Sequence, residues 1–304
     1  MAQTTTQPEA LQDTLGTLTF GRRRSFLQTV LGFIKDQPLG AMGLFVFLLL
    51  MVCAAFASVI ATHDPIDIDP VNQFKGPSTT NYFGTDQLGR DLFSRIIYGA
   101  RTSLYVGVFS VAMGTVTGSI LGIASAYFKT LDMILQRFVD AMLAIPNLLL
   151  ALAIVSVIGP SLTNTIIAIG VGFIPGSVRV LRSQALGVQE RPFVEAARSV
   201  GASDFRILMR HIAPNCIAPF IIIASNGLAV AIIAEASLSF LGLGTPPPTA
   251  SWGAMLSGSV QNYITQAPWL AIFPGLAITV VALGFSLFGD SMRDVLDPRL
   301  RGSK

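Results

Sequence analysis

Glu195-Ala196-Ala197-Arg198-Ser199-Val200-Gly201, continuing through Ala202–Arg210 to His211-Ile212-Ala213-Pro214-Asn215, is the longest charged, helix-compatible segment of an otherwise apolar chain. Pro192 suits the first turn of a helix, where its missing N–H would have had no partner. Gly201 suits the end of that helix, because it takes the left-handed conformation at little cost. Ser203 then caps a second helix with Asp204 in its first turn, and Pro214 is expected to stop it. Phe205, Leu208, Met209 and Ile212 give the second helix an apolar stripe at helical spacing. The segment reads as a helix–glycine–helix element standing outside a membrane, with one face ready to pack and small side chains at Ala196 and Ala197.

The flanking sequence supplies the membrane. With 304 residues, only 12% of them charged, and a mean hydropathy of +0.63, the chain falls in the membrane class. Six runs are long enough to cross a bilayer, which takes roughly 17–25 apolar residues each: Leu39–Ala61, Leu104–Ala126, Ala141–Val157, Leu162–Val178, Ile217–Ala234 and Leu270–Phe288. The fold class expected is all-α, with six transmembrane helices. If both termini are cytoplasmic, 16 of the 20 basic residues lie inside and only Lys75, Arg90, Arg95 and Arg101 lie outside. That asymmetry sets the orientation. The pI of about 9.1 then reflects topology, and no basic groove with interleaved aromatics supports a nucleic-acid role.

On this reading the chain divides into a cytoplasmic tail with an interfacial helix (1–38), a first span (39–61) and an external loop (62–102). A five-helix core (103–289) carries the cytoplasmic 187–215 loop, and a cytoplasmic tail (290–304) follows. Arg23-Arg24-Ser25-Phe26-Leu27 looks like an export signal, but Lys35 and Asp36 interrupt the apolar stretch behind it, so an uncleaved first span is expected. In the external loop, Asp86–Tyr98 reads as an amphipathic surface helix. Leu88, Leu92, Phe93, Ile96 and Ile97 fall on one side, and Arg90, Asp91, Ser94 and Arg95 on the other. Gly114, Gly118 and Gly122 form a small-residue ridge in the second span, as do Ala168, Gly172 and Gly176 in the fourth. Glu235–Trp269 contains no Lys or Arg and reads as a partly re-entrant segment.

What is missing sorts the function. None of the four Lys follows a Gly, so there is no phosphate loop. His63 and His211 alone make no zinc motif and no nucleophile–base pair, and Cys53 and Cys216 imply neither a disulfide nor a metal site. Glu235 and Asp140 sit at span edges, where snorkelling or a helix-end hydrogen bond accounts for them, so no span carries an ion relay. A transporter built this way takes its energy from another subunit. Thr115, Thr117, Ser119, Ser225 and Asn226 are neutral polar groups inside spans, suited either to lining a pathway or to interhelical hydrogen bonds.

The 195–214 segment resembles the Glu-Ala-Ala loop of ABC transporter permeases. Glu195, Ala196, Ala197, Gly201 and Pro214 fall on its pattern, with His211 and Ala213 as departures from the usual Ile and Leu. Phe83–Arg95 with Tyr98–Leu104, Leu238–Gly244 with Pro246-Pro247-Pro248 and Ser251-Trp252-Gly253, and Gly289–Leu300 resemble stretches of the dipeptide, oligopeptide and nickel importers, in particular their second permease. The likeness covers roughly residues 40–301.

It implies a type I importer permease in a bacterial inner membrane, paired with a homologous permease, two ATPase subunits and an extracytoplasmic substrate-binding protein. ATP and Mg would be held by the ATPases and no cofactor by this chain. Glu195, Ala196, Ala197, Gly201, Phe205 and Pro214 would form the coupling site. A secondary transporter or a channel for small solutes is the rival reading.

Overall fold

In the computed structural model, residue 35 and residues 37–296 are described. The interfacial helix expected within 1–38 and the end of the C-terminal motif, Asp297–Leu300, lie outside the described residues. Among those described the chain is helical, with a lone antiparallel bridge between Thr85 and Asp91 and no strand. Among the described residues, five helices are long and apolar enough to cross a membrane, or six if one bent pair counts as a span.

The first helix, α1 (Pro38–Ala55), is followed by a short α2 (Ala57–Ile60). α1 packs on the last long helix, α11 (Trp269–Leu296), with Phe47 edge-on to Phe285 at 5.3 Å. A Cβ on Gly43 would lie 2.6 Å from the Phe288 nitrogen, so close approach of these two helices requires glycine there.

α3 (Leu92–Tyr127) runs for 36 residues, about 54 Å at the helical rise. It therefore reaches beyond the hydrocarbon at one end or both. Asp91 caps it by accepting from the Ser94 N–H at 2.8 Å. The amphipathic surface helix expected over Asp86–Tyr98 is not present. Residues 86–91 form a turn, and 92–98 are the first two turns of α3. The side read as solvent-facing is buried, and so are Leu92, Ile96 and Ile97 of the apolar side.

Asp86 accepts from Arg90 Nε at 2.7 Å and lies 3.7 Å from Arg95 Nε, while Arg95 Nη1 donates to the Pro65 carbonyl at 2.9 Å. Arg90, Asp91, Ser94 and Arg95 are all buried, and it is Leu88 that faces outward. Helical periodicity finds two faces but does not say whether one or both are covered. Here charges that pair with one another and with backbone carbonyls could be buried without being left uncompensated.

The expected third span, Ala141–Val157, is also revised. α4 (Lys129–Leu143) and α5 (Asn147–Ile158) meet at 93°. Ile145 precedes Pro146, and a residue before proline disfavours the helical region. α5, at about 18 Å, is too short to cross alone. Charged α4 is held to α6 (Leu162–Gln189) by Asp132, which accepts from Arg182 Nε and Nη2 at 2.5 and 2.6 Å, and by an Arg179–Asp140 pair at 2.6 Å.

The glycine ridge of α3 serves the inside of this chain. A Cβ on Gly118 would fall 2.6 Å from Ser177 Cβ, and one on Gly122 2.6 Å from the Val178 carbonyl, so α3 and α6 touch along their backbones. The second expected ridge is not the matching surface. α6 offers Gly170, Ile174, Ser177 and Val178 to α3, while Gly172 faces Asn147 and nothing lies within 4 Å of a Cβ on Gly176.

Candidate functional site

The 192–216 segment begins with α7 (Pro192–Ser199), which has Pro192 in its first turn and Glu195 where a negative charge complements the helix N-terminus. α7 ends in a Schellman motif. Gly201 has φ +79°, its N–H donates to the Arg198 carbonyl at 2.9 Å, and the Ala202 N–H donates to the Ala197 carbonyl at 3.1 Å. α8 (Asp204–Ile207) follows, with Ser203 at the cap position but making no side-chain capping bond. Instead, Asp204 accepts from Tyr127 Oη at 2.5 Å, tying the element to the end of α3. The Arg198 guanidinium lies 5.7 Å from the Tyr127 ring centroid.

Pro214 does not stop the second helix as expected. A five-residue π-turn (Leu208–Ile212) and a 3-10 turn (Ala213–Cys216) carry the chain into α9 (Ile217–Phe240). Pro214 has no N–H to give back to the preceding turn, and local π and 3-10 turns absorb that loss. The wider turn also moves the apolar face. Residues now recur inward at intervals of five and four: Ile207, Ile212 and Cys216 pack with Val194, Ala197 and Leu181. Of the expected stripe, Ile212 is inside and Leu208 half-buried, while Phe205 is 73% exposed and Met209 55% exposed. Val200, beside the helix-ending glycine, is 84% exposed.

Glu195, Ala196, Ala197, Gly201, Phe205 and Pro214 therefore belong to one compact element. Ala197 is buried beneath it, and Glu195, Ala196 and Phe205 lie on its surface. Glu195, Arg198 and Asp204 also line an open cleft of about 740 Å³ with Tyr127, Lys129, Gln189 and Glu190. Sequence reasoning passed over Val200 and Tyr127. The signal for Val200 was a large apolar residue directly before a helix-ending glycine.

The five neutral polar residues are dispersed. Thr115 and Ser119 donate to carbonyls of α3, at Val111 and Thr115 respectively, both at 2.6 Å, and Ser225 donates to the Ile221 carbonyl of α9 at 2.8 Å. Thr117 is half-buried on α3. The Asn226 side-chain oxygen lies against Gly289 of α11, where a Cβ would overlap it.

Comparison with known proteins gives a consistent picture. Residues 114–302 match the family model described as the binding-protein-dependent transport system inner membrane component, and residues 25–77 match the N-terminal TM domain of oligopeptide transport permease C. A putative peptide transport system permease protein of Brucella suis is 44% identical over 259 residues, covering 85% of this chain and 87% of that protein. The dipeptide transport system permease protein DppC of Alkalihalophilus pseudofirmus is 42% identical, with 88% of each chain covered. The glutathione transport system permease protein GsiD of Escherichia coli is 44% identical, with 85% and 86% covered. Among solved structures, a chain of the inward-facing MetNI methionine ABC transporter superposes with a TM-score of 0.51 at 17% identity, covering 68% of this chain and 96% of that one. The fold is that of type I ABC importer permeases.

Proposed function

This chain belongs to the binding-protein-dependent transport system inner membrane components, and we propose that it is one of two permease subunits of an importer for di- or oligopeptides or a related small solute. Two ATPase subunits, holding ATP and Mg, drive it from the cytoplasmic side, and a substrate-binding protein delivers cargo outside. Both termini and the 192–216 element lie in the cytoplasm of a bacterial cell, as the distribution of Lys and Arg supports.

The observation that carries this reading is the exposure of Val200, Phe205 and Met209 on an element whose Val194, Ala197, Ile207 and Ile212 are packed inside. Apolar side chains clustered in water mark a surface that a partner covers. With no phosphate loop in the sequence, a partner that supplies ATP energy fits that surface. Glu195 and Ala196 lie on the docking side, and buried Ala197 lets α7 sit close to the core. Gly201 sets the angle between α7 and α8, and Pro214 the irregular turns into α9. When the ATPases close, the element is carried with them and tilts α6 and α9, which flank it. Switching requires only that the ATP-bound partner favour one of the two states. Thr117 and Asn226 are the pathway candidates whose side chains are not committed to their own helix.

The test is gentle purification of the tagged chain from its native membrane, with co-purifying proteins identified by mass. A second permease and ATPase subunits are expected. Recovery of this chain alone, with transport retained after reconstitution without ATP, would overturn the reading in favour of a channel or secondary transporter.

A further inference from the structure

Glu235 lies five residues before the end of α9, remote from the 192–216 element, and it is not a span-edge residue reaching for water. Its exposure is 0%. One carboxyl oxygen, Oε1, accepts from Ser239 Oγ on the same helix at 2.8 Å and from Ser251 Oγ at 2.9 Å. Ser251 immediately precedes α10 (Trp252–Asn262), so the second bond joins two elements sixteen residues apart in sequence. Gly253 makes the approach possible, since a Cβ there would overlap the backbone of Ala236. The same short segment is bonded to α3: Trp252 Nε1 donates to the Ile96 carbonyl at 2.9 Å, and Thr102 Oγ1 to the Ala250 carbonyl at 2.8 Å. The buried Ser103 hydroxyl of α3 lies beside the carboxyl group.

Three elements thus meet at one buried carboxyl group, about 30 Å along α9 from Cys216 at the helical rise. An acid in this setting is costly and persists where it serves something. Packing alone would be met by an apolar residue. The hydroxyl partners instead give a directional joint, with the Ser103 hydroxyl of α3 beside it.

We propose that Glu235 is a positioning residue for transport. Its carboxyl group joins the far end of α9 to the 250–252 segment and through it to α3, so that movement of the 192–216 element reaches the opposite end of the bundle. The proposal rests on the coupling reading above.

The experiment reconstitutes the complete transporter and measures ATP hydrolysed per substrate imported for the parent, Glu235→Gln, Glu235→Ala and Ser251→Ala, at matched amounts of assembled complex. Gln still offers an oxygen to Ser239 and Ser251, and its amide faces Ser103. We expect Gln to keep the parent ratio within about twofold. Ala at 235 should raise it at least tenfold while hydrolysis continues, with Ser251→Ala between the two. Any loss of assembly is read separately from the amount of complex recovered, and Ser251→Ala removes one bond with little change in volume. An unchanged ratio in both alanine variants would overturn the proposal. Loss of coupling in Glu235→Gln equal to that in Glu235→Ala would also overturn it, because charge rather than hydrogen bonding would then be needed. Absence of ATP-dependent uptake by the parent would instead count against the importer reading itself.

Discussion

At the Asp86 end of the bundle charged side chains are buried and paired, whereas at the Gly201 end large apolar side chains stand in the open. Asp86 is hydrogen-bonded to Arg90 and lies in ion-pair range of Arg95, whose Nη1 donates to the Pro65 carbonyl, all within this single chain. Val200, Phe205 and Met209 have no such cover. The first arrangement finds its counter-charges within the chain, and the second is the surface on which the proposed partner docks. A polar cluster built into the interior supports the fold, while large apolar side chains left exposed on a packed element point to assembly.

That contrast breaks most visibly at Asp86. Replacing Asp86 with Ala leaves two buried guanidinium groups without their carboxylate, and removing one partner of a buried pair costs about 3–5 kcal/mol. The folded yield in membranes and the thermal midpoint in detergent should both fall sharply. An unchanged midpoint would mean that the cluster is not structural.

Phe205→Ser should behave in the opposite way. An exposed site changes chain stability by no more than about 0.5 kcal/mol. Losing a phenyl group that is buried on docking removes roughly 1.5–3 kcal/mol of association, which is about ten- to a hundredfold in affinity. Retention of ATPase subunits on the purified permease should drop accordingly while the thermal midpoint stays put. A fall in midpoint with normal retention would reverse the assignment of the two regions.

The two regions also show what sequence can carry. Apolar runs located five of the spans, and Gly201, Pro192 and the Glu195-Ala196-Ala197 group located the helix–glycine–helix element, because each is a local signal of length, backbone conformation or spacing. The errors arose where a non-local partner or an irregular turn decided the outcome. The polar side of 86–98 turned inward because the Asp86 turn and the Pro65 carbonyl receive its arginines. The stripe at Phe205 and Met209 turned outward because a π-turn changed the period on which the stripe was counted. Ile145-Pro146 did announce the break between α4 and α5, but the apolar residues on both sides of it masked it. Glu235 was visible as an acid, whereas its partner Ser251 comes from a different element.

The central claim is that the 192–216 element turns ATP hydrolysis into movement of this permease. It is tested most directly by measuring ATP hydrolysis and substrate uptake together in proteoliposomes containing the assembled transporter, with the parent chain, Glu195→Lys or Gly201→Pro. Lysine reverses the charge at the α7 N-terminus, and proline cannot adopt the positive φ of Gly201. The account predicts that both variants insert and assemble, that hydrolysis continues, and that uptake is lost. Uptake at the parent rate in both variants would contradict it.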